Sequence, residues 1–75
     1  APVLSLMPNP SNGAFELNAN DDIQSVSIYD NLGRLVHSER TQGKHVNLNL
    51  QLPAGFYSLK ASMRTGTTST KLVIE

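Results

Sequence analysis

Residues 52–63 read LPAGFYSLKASM, a Pro/Gly corner that runs straight into an alternating strand. Pro53 fixes φ near −65° and has no backbone donor, so regular structure breaks there. Beyond it, Tyr57, Leu59, Ala61 and Met63 fall on one face, while Ser58, Lys60 and Ser62 fall on the other. A tyrosine just after such a corner can turn its hydroxyl back to upstream backbone, which makes Tyr57 the candidate clamp of this segment.

The same two-residue period recurs along the chain. VLSLM (3–7), AFELN (14–18), SVSIYD (25–30), RLVHSE (34–39), KHVNLNL (44–50) and STKLVIE (69–75) read as further strands. Turn chemistry separates them. MPNPSNG (7–13) places two prolines before Gly13, a rigid corner between the first two strands. DNLG (30–33) reads as a hairpin loop with Gly33 in the left-handed position, and RTQG (40–43) and RTGT (64–67) turn the chain again. Seven short antiparallel strands of this spacing predict an all-β, immunoglobulin-like β-sandwich, and the Tyr57 corner supports it. The expected core is Phe15, Leu17, Val26, Ile28, Val46, Leu48, Leu50, Tyr57 and Leu59.

Composition narrows the function. Seventy-five residues predict a single domain, 1–75, with a stability of about 4–11 kcal/mol. Four aromatic residues are too few to line a large pocket, and without cysteine there is no disulfide or thiolate metal site. Six basic residues balance six acidic ones with no long run of one sign, which argues against nucleic acid or an anionic membrane as the main partner. No apolar run approaches the ~20 residues of a membrane helix. The Ala-Pro start lacks the basic and apolar regions of a signal peptide, so the chain reads as a piece of a longer protein.

Candidate chemistry is sparse. His37 and His45 are the only histidines. They are expected on strands that pair, facing outward, with no third metal ligand in view. Asp21, Asp22 and Asp30 are the candidates for a calcium site in interstrand loops, but their spacing fits no EF-hand loop, and solvated turns are the simpler reading. A triad of Asp30, His37 and a serine has no nucleophile elbow to build on. Asn9-Pro10-Ser11 fails as a glycosylation acceptor because of its proline. The reading is a domain without catalysis, cofactor or metal.

Three stretches in order carry more. PNPSNGAFEL (8–17), VSIYDNLGRLV (26–36), and LPAGFYSLK (52–60) followed by the terminal KLVIE (71–75) together resemble the type A C-terminal sorting domain of the type IX secretion system of Bacteroidetes. The resemblance covers residues 8–75. It carries over to Pro8, Asn9, Pro10 and Gly13 as an entrance motif, and to Gly33 and Arg34 in the central hairpin. It also carries over to Leu52, Pro53, Gly55 and Tyr57 at the corner, and to Lys71, Leu72, Val73, Ile74 and Glu75 in the last strand.

The resemblance implies a non-catalytic label at the C-terminus of a larger exported protein. Such a label would pass through the periplasm and be read by the outer-membrane translocon and its shuttle protein. In much of the family a sortase-like signal peptidase then removes it as the cargo is attached to the cell surface, while other members keep it. The domain itself is expected to be a monomer that inserts into no membrane. Unpaired edge strands offer β-augmentation as one way for a partner to read it. The terminal strand, expected as an exposed edge, is the first candidate, and the domain should stay largely β without it. The alternatives are an adhesive or carbohydrate-binding sandwich, for which Tyr29 and Phe56 are the only spare rings, and a fibronectin-type spacer. An enzyme is the third alternative.

Overall fold

The computed structural model describes residues 3–7 and 12–75. Seven strands run through them: β1 (Leu4–Met7), β2 (Ala14–Ala19), β3 (Ile23–Tyr29), β4 (Leu35–Arg40), β5 (His45–Asn49), β6 (Gly55–Met63) and β7 (Gly66–Ile74). They form two antiparallel sheets, in the orders β1-β2-β5 and β4-β3-β6-β7. The chain changes sheet after β2, after β4 and after β5, and β1 lies against β7 where the layers meet.

Alternation sets which face each strand buries. Phe15, Leu17, Val46 and Leu48 of the smaller sheet share one cluster with Val26, Ile28, Leu59, Ala61 and Leu72 of the larger. Each fully buried aliphatic side chain of this kind contributes about 1.5–3 kcal/mol relative to exposure. Eight of the nine expected core residues are buried, and the ninth, Tyr57, packs against the cluster from its rim.

Two bulges explain where simple alternation misleads. Ile23 pairs with Met63 and Ser25 with Ser62, so Gln24 is an extra residue on β3. The bulge lets Ile23 and Val26, three apart, both point inward, and Ile23 is fully buried. On β4, Ile28 pairs with His37 but Tyr29 with Leu35, leaving Val36 as the extra residue. His37 and Glu39 therefore share the inner face of this overhanging edge strand with Ile28 and Val26, and they bond each other at 2.6 Å. That corrects the outward reading of His37. A bulge and inward polar groups are also devices that blunt an edge against strand addition.

Three further expectations change. β4 and β5 do not pair: β4 joins β3 and β5 joins β2, so His37 and His45 sit in different sheets. The RTGT turn shrinks to Arg64-Thr65, because Met63 already pairs with Gly66, and β7 is longer than the sequence reading made it. β7 is an edge strand of the larger sheet, as expected, but it is no detachable ribbon: Leu72 and Ile74 are 0% and 3% exposed and belong to the core.

Candidate functional site

Registers bring most of the singled-out residues to one pole of the molecule. Tyr29, Ser58 and Lys71 share a rung of the larger sheet, and Gly55 pairs with Ile74. The β3–β4 hairpin, the β5–β6 corner and the end of β7 therefore leave that sheet on the same side. In the smaller sheet, Met7 pairs with Glu16 and Ala14 with Asn49, which puts the β1–β2 connection beside the end of β5. Pro8, Asn9 and Pro10 of that connection lie outside the described residues. A shallow notch lined by Asp30, Asn31, Ala54, Gly55, Phe56 and Tyr57 joins hairpin to corner.

Each segment is fixed locally. The Gly33 amide donates to the Asp30 carbonyl and the Asp30 amide to the Arg34 carbonyl, closing a three-residue loop with Gly33 at φ +83°. The Asp30 carboxylate accepts the backbone N–H groups of Leu32 and Arg34 and the Arg34 Nε–H, each at 2.9 Å. The Arg34 backbone N–H leads in holding the Asp30 carboxyl below its ordinary value, and the Leu32 N–H and the guanidinium act in the same direction. At the corner, the Tyr57 hydroxyl donates to the Pro53 carbonyl at 2.5 Å, and Leu52 packs against the core.

Gly13 is buried at φ +111°, and its carbonyl accepts the Leu50 amide at 2.8 Å. A Cβ there would come within 2.2 Å of the Leu50 carbonyl oxygen, so backbone approach as well as φ demands glycine. In the terminal segment Lys71 and Glu75 are exposed, Val73 is half-buried, and the Lys71 ammonium stands 4.8 Å above the Phe56 ring.

The candidate chemical groups do not come together among the described residues. Asp21 and Asp22 lie on the β2–β3 link at the opposite pole from Asp30, so the three carboxylates do not converge. Asp30 is engaged with Arg34, His37 with Glu39, and His45 with the Asn18 amide oxygen of its cross-strand partner. No group of three His, Cys, Asp or Glu side chains suited to a metal occurs among the described residues. Sequence reasoning missed two of the apolar side chains displayed near this pole: Leu32 and Leu35 are 73% and 56% exposed, beside Phe56, already named as a spare ring, at 59%. Phe56 was signalled by its outward place in the β6 alternation. Leu35 depends on the bulge and had no such signal.

A search of the curated proteins finds no match. The family model described as the secretion system C-terminal sorting domain matches residues 5–75. That span takes in all seven strands but the first residue of β1, together with every segment gathered at the pole. The chain belongs to the type IX secretion system C-terminal sorting domain family.

Proposed function

We propose that this chain is the single C-terminal sorting domain of a larger exported protein and that its motif-bearing pole is the face the type IX machinery reads. The family assigns sorting for type IX secretion, hence export across the outer membrane to the cell surface or beyond. The observation that carries the finer reading is the gathering of Gly13, Gly33, Arg34, Pro53, Gly55, Tyr57 and Lys71–Glu75 at one end, although they are scattered along the sequence. Gly13, Gly33 and Tyr57 act by fixing the shape of that end. Lys71, Glu75 and Arg34 are the exposed groups a partner meets.

The strand order, with three strands facing four, and a tyrosine clamp at the sixth strand support an immunoglobulin-like sandwich. The parent passes through the periplasm with this domain folded and monomeric. The translocon and its shuttle protein then engage it, and a sortase-like peptidase removes it as the cargo is attached to the surface.

The test is a reporter carrying a separate inner-membrane signal and residues 1–75 at its C-terminus, expressed in a host with the secretion system. Reporter in the medium or on the surface supports the sorting role, and reporter retained in the periplasm refutes it. Arg34→Ala combined with loss of Glu75 should lower export while the purified domain still melts cooperatively, lower by no more than the loss of the exposed Asp30–Arg34 pair explains. Unchanged export would remove the pole from the reading.

A further inference from the structure

The outer face of the β4-β3-β6-β7 sheet has a composition unlike the rest of the molecule. Its rungs, read from the register, are Arg40/Ser25/Ser62/Thr67, Ser38/Ser27/Lys60/Ser69, Leu35/Tyr29/Ser58/Lys71 and, on β6 and β7 only, Phe56/Val73. Three cations stand on three strands, Arg40 on β4, Lys60 on β6 and Lys71 on β7, and no carboxylate occurs on any rung. The six acidic residues all lie elsewhere. Glu16 is on the outer face of the other sheet, Asp21 and Asp22 are in the β2–β3 link, and Glu39 is on the inner side of β4. Asp30, held by Arg34, lies beyond the end of β3 in the notch beside Phe56, and Glu75 lies past the last rung. A chain with no net charge thus carries a cationic, serine-lined face that ends in an apolar ridge of Leu35, Tyr29 and Phe56.

We infer that this face, resting on the sorting role proposed above, docks on an acidic protein surface of the export machinery. Charge complementarity sets the sign of the partner, and like charges directly opposed disfavour a second copy of this chain. An aromatic ridge beside polar, hydrogen-bonding ground matches the anatomy of protein interfaces, where a few rings anchor and the surround excludes water. Lys71 already lies on the Phe56 ring, so cation and anchor are presented as one unit. Three cations fall short of the four to eight basic residues that mark anionic lipid recognition. Four strands about 4.8 Å apart over four rungs span roughly 500 Å² of sheet, the size of a transient contact and not of an obligate one.

The experiment uses the reporter fusion and the free domain. Arg40→Glu/Lys60→Glu reverses the face without touching the core or the pole, and Lys44→Glu, in the β4–β5 link, is the off-face control. The double reversal should lower export at least about tenfold, with the melting temperature within a few degrees and the control exported normally. Free wild-type domain produced in the periplasm should compete with fusion export, and free double variant should not. Should the double variant fail to fold, Lys60→Gln asks the same question at one exposed position and should lower export about threefold.

Export or competition by the folded variant equal to wild type overturns the inference and leaves the sorting role standing. A wild-type fusion held in the periplasm overturns both. Sedimentation of the domain with phosphatidylglycerol vesicles, lost in the double variant, would reassign the face to a membrane.

Discussion

Gly13 and Gly33 both hold positive φ, yet substitution should separate them. Alanine at Gly33 meets nothing within 4 Å, so it carries only the left-handed backbone penalty, about 1–2 kcal/mol, and Gly33→Asn should cost less. Alanine at Gly13 meets the Leu50 backbone as well, and a loss of about 3 kcal/mol or more is expected. Urea unfolding of the two variants reads the difference, and equal losses would remove the close approach from the account. Asp30 makes a pH prediction. Its carboxyl is held low in the fold, chiefly by the Arg34 amide, so its contribution is complete above the ordinary carboxylate range. That contribution disappears as the pH falls below about 4 and through the lowered value. Asp30→Asn should therefore melt below wild type at pH 7, and the gap should close in acid. A gap that persisted at low pH would mean the charge is not its source.

The terminal strand is the element whose role the structure alters most. Leu72 and Ile74 are buried, so Leu72→Ala should destabilise by about 2–5 kcal/mol, much of the stability expected for a domain this size. Deleting residues 71–75 should unfold the domain, which circular dichroism and loss of a cooperative melt would report. A truncation that kept its β signal and its melt would contradict the burial. Export lost on that deletion would then report the fold as much as the label, and changes at Lys71 and Glu75 alone are the informative ones. Alternation in KLVIE assigned the two faces correctly, because the side-chain period of a strand is local. It could not tell that β1 lies against β7 and covers the inner one, which is a tertiary fact. The bulges at Gln24 and Val36 hid Ile23 and turned His37 inward for a related reason: an inserted residue leaves no mark in composition. The hairpin at Gly33 and the clamp at Tyr57 were legible because each rests on bonds within five residues. Their meeting at one pole was not, since it depends on pairings between distant segments.

Those distant pairings govern the molecule as a whole. Phe15 pairs with Leu48 and Val26 with Ala61, so the core is built from contacts that close long loops. Folding should accordingly be slow for the chain's size, in the range of milliseconds to seconds. Stopped-flow refolding tests this, and complete relaxation within about 100 μs would contradict the topology. A β-rich fold assembled this way also has a keystone. Ile74 pairs with Gly55 and fills the core beside the corner, at the end of the last of the seven strands. Without it, the edge of β6 that faces away from β3 stands unpaired at the corner and the core lies open there. The fold therefore guards its own edge from within: trimming a few residues at the end of β7 opens the core to proteases, while the intact strand keeps it shut.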